Sequence, residues 1–239
     1  MKRALMAGFA LGMTVVPVFG QPGASTSEPQ NCHWQQAPDP AAKAQLRCRT
    51  SAGEWRGVIV PRDFDQHTFE KAEADDPRAM ALVGAFYGVL APRELRDGRL
   101  AIRWLRKAAQ EGRTDAMVTM AEILDEGILV PPNPVDAARW YEKAANGGNV
   151  AAMFMIAIRY DRGKGGVQED ASKAAFWFRK CADLGDGGCM GGLSGLYAKG
   201  RGVPKDVAES KRLWKRYGAE IEKRSRSVHS EVGGNDPAH

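Results

Sequence analysis

The sequence predicts an all-α fold, an α-solenoid of about four helix-pair repeats with a small N-terminal extension outside the array. Three rows of residues predict it. Trp104, Trp140, Trp177 and Trp214 recur at intervals of 36, 37 and 37. Met80, Met117, Met153 and Met190 recur at 37, 36 and 37. Tyr87, Leu124, Tyr160 and Tyr197 keep the same rhythm. A fixed period of this length marks units that bury their apolar faces only by stacking on one another. Composition agrees: 44% hydrophobic and 26% charged residues in 239 is a globular balance, which excludes a wholly disordered, collagenous or polytopic membrane chain.

Taken in order, the first twenty residues open on Lys2 and Arg3 and then carry no charge from Ala4 to Phe19. Val18 and Gly20 are small enough to flank a cleavage site. This is the layout of a secretory signal peptide, and the apolar run is shorter than the roughly 20 residues a spanning helix needs. Residues 1–20 are read as a removed leader. No later stretch is apolar and long enough to span a bilayer, so no transmembrane span is expected after removal. The expected location is periplasmic or secreted, where four cysteines, an even number, read first as two disulfides.

Residues 21–62 lie outside the period. Gln21 to Gln30 is rich in Pro, Ser and Gly and reads as a tether. Arg47 to Val60 has strand-like residues around Ser51-Ala52-Gly53, a hairpin signal. Cys32 and Cys48 are placed to staple this segment. The solenoid is expected over residues 63–222. Thr68-Phe69-Glu70-Lys71-Ala72 aligns with Trp140 to Ala144 and predicts a degenerate second helix at the N-terminal end. Four units follow, over about residues 77–112, 113–148, 149–185 and 186–222, and residues 223–239 form a polar tail.

Each unit reads as two helices. The first runs from Ala79, Ala116, Ala152 or Cys189 to the Tyr/Leu landmark. The second carries the Trp and then Lys107-Ala108-Ala109, Lys143-Ala144-Ala145 or Lys180-Cys181-Ala182. Asp97 and Asp170 stand where they can cap second helices, and Asn133 takes that place before Pro134, whose missing N–H costs nothing at a first helical position. Breaks between units are Gly-rich, as helix C-termini prefer. The first unit lacks the Gly-rich turn, and Leu90 to Arg96 replaces it.

These residues resemble the Sel-one-like repeat (SLR) family, a relative of tetratricopeptide repeats. Trp140-Tyr141-Glu142-Lys143-Ala144-Ala145, Lys173-Ala174-Ala175-Phe176-Trp177 and Tyr197-Ala198-Lys199-Gly200-Arg201-Gly202-Val203 carry the resemblance, which covers about residues 77 to 218. The last unit departs from it, with Trp214-Lys215-Arg216-Tyr217-Gly218 in place of Lys-Ala-Ala. The resemblance implies a right-handed superhelix and a non-catalytic role in assembling envelope complexes or regulating signalling receptors.

Cys181 ends one second helix and Cys189 begins the next first helix. A turn of that length brings antiparallel helices within disulfide reach. The alternative, a redox or metal pair, lacks further ligands, since His33, His67, His229 and His239 all lie outside the complete repeats. The Cys-x7-Cys placement resembles the secreted cysteine-rich branch of the family, some of whose members bind penicillin-like molecules.

Catalytic patterns are absent from the sequence. There is no His-Glu-x-x-His, no Gly-x-Ser-x-Gly and no Ser-x-x-Lys. Gly163-Lys164-Gly165-Gly166 lacks the spacing of a phosphate loop and reads as a repeat turn. No cofactor or metal site is expected. Binding is the better prospect, because helix-pair solenoids present their first helices along a concave face. The third and seventh positions of these helices, and the residue after the landmark, are expected to point there. That selects Val118, Glu122 and Asp125 in the second unit and Phe154, Ile158 and Asp161 in the third. In the fourth it selects Gly191, Gly195 and Ala198, and in the first Ala81, Ala85 and Gly88. The expectation is an apolar, acid-rimmed groove for another protein, with Phe154 as anchor.

The net charge of +5 is too small for a dedicated nucleic-acid binder. The excess gathers in residues 199–227, with ten Lys and Arg against Asp206, Glu209, Glu220 and Glu222. Two readings stand: a solvated helix face, or contact with an acidic partner or anionic envelope surface. The leading expectation is an exported adaptor without chemistry of its own. The alternative is binding or hydrolysis of a cell-wall-related small molecule such as a β-lactam or muropeptide.

Overall fold

The computed structural model describes residues 32–35, 45–49, 53–58, 60, 64, 65, 67–127 and 129–232. The leader assigned to residues 1–20, the tether at 21–30 and residues 233–239 of the tail lie outside them. Among the described residues, three short strands precede nine α-helices. The strands β1 (Cys32–Gln35), β2 (Gln45–Arg49) and β3 (Trp55–Gly57) form one antiparallel sheet in that order. Helix α1 (Thr68–Glu73) is the short helix predicted before the first unit. Then α2 (Pro77–Ala85), α3 (Gly98–Gln110), α4 (Thr114–Glu126) and α5 (Pro134–Asn146) make the first two pairs. The last two pairs are α6 (Val150–Arg162) with α7 (Ala171–Asp183), and α8 (Gly187–Lys199) with α9 (Val207–Val232). Each helix packs on its sequence neighbours, so the chain is an α-solenoid with a small non-repeat N-terminal region.

Local chemistry sets these boundaries. Asp76, Asp97, Asn133, Asn149, Asp170 and Asp186 each accept a backbone N–H of the helix that follows. Each such cap satisfies a donor that has no partner within the helix. First helices stop at glycine: Gly127, Gly163 and Gly200 have φ of +69°, +60° and +69°. That conformation costs an L side chain about 1–2 kcal/mol. The loop beyond then seats on the start of the preceding unit's second helix. Leu129 and Val130 lie against Gly98, Gly166 against Val135, and Gly202 against Ala171. A Cβ on Gly202 would stand 2.1 Å from the Ala171 carbonyl, so this approach requires glycine.

The landmark residues fill the stack. Second helices bury the residue after each interior Trp (Leu105, Tyr141 and Phe178) and the small pairs Ala108-Ala109, Ala144-Ala145 and Cys181-Ala182. Small side chains there let neighbouring helices meet closely, and Met80, Met153 and Met190 pack the interior opposite. Tyrosines tie one unit to the next: Tyr160 donates to Glu142 Oε1 at 3.1 Å, and Arg179 Nη2 donates to the Tyr197 hydroxyl at 2.9 Å.

Both disulfides expected from the sequence are present. Cys181–Cys189 joins α7 to α8 with Cα atoms 5.8 Å apart. Cys32–Cys48 joins directly opposed residues of β1 and β2. Closing loops of this length is worth about 2–3 kcal/mol on the chain-entropy account. The sheet buries Leu46 and Cys48 on one face. Beside it, the rings of Phe64, Phe69 and Phe86 contact one another at centroid distances of 5.6 to 5.7 Å. The extension thus covers the first unit's open end.

Two segments add to the sequence reading. Where Leu90 to Arg96 was expected to replace a glycine turn, the chain makes a π-helical turn at Phe86–Leu90 and a short 3-10 turn at Arg93–Leu95. Helix α9 continues through residues 223–232, which were read as tail.

Candidate functional site

The first helices α4, α6 and α8 carry the positions selected for binding. Val118, Phe154 and Ile158 are half-buried and rest on the core with one edge open to solvent. Phe154 is wedged between units: its ring lies 6.1 Å from that of Phe178, and a Cβ on Gly188 would stand 3.0 Å from it. At Gly191 and Gly195 an added Cβ would meet nothing within 4 Å, so α8 presents bare backbone to open space. In the first unit the phase differs. Ala81 and Gly88 are buried, and a Cβ on Gly88 would stand 2.8 Å from Ile123 Cδ1. The π-helical turn widens the helix here and changes the direction of residues after Ala85.

The acidic rim is more structured than its sequence suggests. Asp125 Oδ2 pairs with Arg159 Nη2 at 2.6 Å. The Arg159 side chain is only 8% exposed, and its guanidinium lies 4.7 Å from the Tyr141 ring centroid. Asp161 pairs with Arg201 Nη1 at 3.1 Å, and Arg201 Nη2 also donates to the Asp161 carbonyl and to Glu169 Oε1. Two of the three selected carboxylates are therefore clasped by an arginine of the following unit. Neither arginine was selected from sequence, because the pairings span 34 and 40 residues with no common spacing.

Glu122 is different. It is exposed, and among the described residues no cation pairs with it or with Glu126 one turn on. Although the side chain reaches solvent, partial desolvation by the helices packed around it pushes the Glu122 carboxyl above its ordinary range, and the Glu126 charge adds to the rise. Beneath, burial pushes the Tyr141 hydroxyl upward, with Glu122 adding to the rise and Arg159 opposing it. The resulting surface joins a half-buried apolar row to an uncompensated acid pair. Among the described residues no group of three or more His, Cys, Asp or Glu is arranged to hold a metal ion, and no helix is long and apolar enough to cross a membrane.

Stacked helix pairs with an open first-helix face define a repeat scaffold. Four segments, residues 77–112, 114–149, 150–186 and 189–216, match the Sel1 repeat, so the chain belongs to the Sel1 repeat family. Members of that family are generally non-catalytic interaction scaffolds. A Sel1 repeat protein from Oxalobacter formigenes superposes with a TM-score of 0.58 at 29% identity, covering 65% of this chain and 63% of that one. The protein c5321, a protective antigen of uropathogenic Escherichia coli strains with an SLR fold, gives 0.59 at 28% identity, covering 72% of this chain and 37% of its own. The chain thus spans less than two thirds of the length of either relative. Cysteine rich protein B of Helicobacter pylori gives 0.41 at 17% identity, over 53% of this chain and 89% of that one. Among curated proteins there is no match.

Proposed function

We propose that this chain is an exported scaffold that docks another protein, of the envelope or secreted, along its first-helix face and performs no chemistry of its own. One observation carries the reading. Val118, Phe154 and Ile158 form a half-buried apolar row across two units, beside the unpaired Glu122 and Glu126. Apolar anchors ringed by one sign of charge are how a groove takes an amphipathic segment of opposite charge. Export is supported by the leader-like first twenty residues and by two disulfides, which persist in oxidising compartments. The test is photo-cross-linking in the native envelope from a photoreactive residue in place of Val118 or Ile158, with Glu122→Lys as the competing variant. One dominant protein adduct, lost in Glu122→Lys, is expected. Diffuse adducts unchanged by that variant would refute the docking face.

Helix α9 supports a weaker, peripheral contact with an anionic envelope surface. Trp214 is 60% exposed, with Lys211 one turn before it and Lys215 immediately after it. A Trp among lysines is suited to the interface of an anionic membrane. Salt-sensitive sedimentation with phosphatidylglycerol vesicles, lost in Lys211→Glu/Lys215→Glu, is the expected outcome.

A further inference from the structure

The second helices differ in charge, and the difference is concentrated at the first junction. Helix α3 carries Arg99, Arg103, Arg106 and Lys107 and no acidic residue. Helix α5 balances Asp136 and Glu142 with Arg139 and Lys143. Among the described residues no carboxylate pairs with Arg99, Arg103 or Arg106, whereas Lys107 reaches Asp75 at 3.6 Å. An open groove of about 370 Å³ lies along this face between α3 and the loop before α5, with Ile102 and Val130 at its apolar floor. It continues through Arg106 into a second groove of about 470 Å³ of mixed charge, lined by Trp140, Lys143, Glu142 and the Asp136–Arg139 ion pair.

Arg106 shows why this junction is open. It stands two residues after its Trp, as Glu142 and Arg179 do in the next two units. Those two are bonded to the landmark tyrosines Tyr160 and Tyr197 of the following unit. The landmark following Arg106 is Leu124, which has no hydroxyl, so the guanidinium has no such partner. Three arginines without counter-charges repel one another and carry forks suited to carboxylates.

We infer that the α3–α5 groove is a second docking site, for an acidic segment of a partner protein that carries an apolar side chain. Carboxylates of that segment pair with Arg99, Arg103 and Arg106, and the apolar side chain rests on Ile102 and Val130. The apolar floor favours a peptide over a sulfated or phosphorylated polymer, which has nothing to place there. The site lies on the second-helix face and is independent of the first-helix face.

The test uses a fluorescein-labelled peptide of Glu and Leu with a central Phe, a control peptide with every apolar residue changed to Ser, and a heparin oligosaccharide, each titrated by anisotropy. The Glu/Leu/Phe peptide is expected to bind in a salt-dependent way. Its affinity should fall about tenfold or more in Arg103→Glu/Arg106→Glu, less in Arg103→Gln/Arg106→Gln, and not at all in Lys211→Glu/Lys215→Glu. Ile102→Ser should weaken the apolar peptide severalfold and leave the Ser control unchanged. Circular-dichroism melts matching the parent chain establish that the variants fold, and the glutamine pair provides the reading if the reversal does not. Peptide binding indifferent to both arginine pairs, or absent while the oligosaccharide binds, would overturn the inference.

Discussion

Helices α7 and α9 hold equivalent places in consecutive units and meet opposite fates. Trp177 in α7 is 4% exposed, whereas Trp214 in α9 is 60% exposed. The residue type is the same, so position in the stack decides the burial. Around Trp177 the positions three before and one after are Ala174 and Phe178, both buried. Around Trp214 the same positions are Lys211 and Lys215. Charge at those two positions prevents another unit from stacking, which is what a terminal repeat must do. The lysines and the open Trp are one feature: α9 presents an exposed aromatic ring flanked by positive charge.

The strongest way to break that comparison is to truncate both tryptophans. Trp177→Ala removes a ring packed between units and is expected to cost about 3–5 kcal/mol. Trp214→Ala removes a ring whose described ring contact is Tyr217, at 5.1 Å, and should cost less than about 1 kcal/mol. Urea unfolding of the two variants measures both. Equal losses would show that α9 is packed as an interior helix and that its exposed face is not a free end.

A second contrast sharpens the first. The Asp125–Arg159 pair joins the second and third units in a buried setting, and the Asp161–Arg201 pair joins the third and fourth near solvent. Asp125→Ala leaves the Arg159 charge without its carboxylate where water is scarce, at an expected cost of about 3 kcal/mol. Asp161→Ala leaves Arg201 with Glu169 and solvent, at an expected cost below about 1 kcal/mol. Chemical denaturation of both single variants tests the order, and a reversed order would remove the distinction between interior and terminal junctions. Asp125 is consequently a poor place to probe partner binding, because its change confounds docking with stability.

What the sequence made legible follows from what repeats. The Trp, Met and Tyr/Leu rows, the small pairs and the Asp/Asn caps recur at one spacing, so the helix pairs and their packed faces could be placed before any coordinates. The β2–β3 hairpin was legible from its turn, but β1 is a four-residue strand recognisable only through its partner, where Cys32 faces Cys48. The π-helical turn at Phe86–Leu90 has no sequence spacing of its own, and the expected position Gly88 falls within it and is buried. At the candidate site, of the positions selected by helical phase on α4 and α6, Glu122 is exposed, whereas Val118, Phe154 and Ile158 are half-buried against the core. The arginines that reach Asp125 and Asp161 could not be read from phase, because such pairs depend on how units stack. The guanidinium of Arg106 on α3, unpaired among the described residues, was hidden for a related reason: Leu124 lacks the hydroxyl that Tyr160 and Tyr197 offer to Glu142 and Arg179.

The smallest expected effect bears on function. Glu122 and Glu126 lie one turn apart with like charge, an arrangement that opposes the helix by about 0.2–0.5 kcal/mol. The Glu122 carboxyl is raised above its unfolded value by partial desolvation first and the Glu126 charge second. A carboxyl raised in this way contributes its stability below the unfolded value, near pH 4.3, and loses it as pH rises through the folded value. At neutral pH the Glu122 charge therefore works against folding. Glu122→Gln should stabilise the protein by about 0.2–0.5 kcal/mol at neutral pH and by nothing near pH 3, where the parent carboxyl is itself neutral. Urea midpoints at the two pH values decide it, and a gain that is the same at both would mean that charge is not the cause. A gain confined to neutral pH would identify a position where an interior unit, otherwise packed for stability like α7, keeps an exposed charge at a cost. A docking surface supplies a reason to keep it, since a cationic partner converts that cost into binding energy.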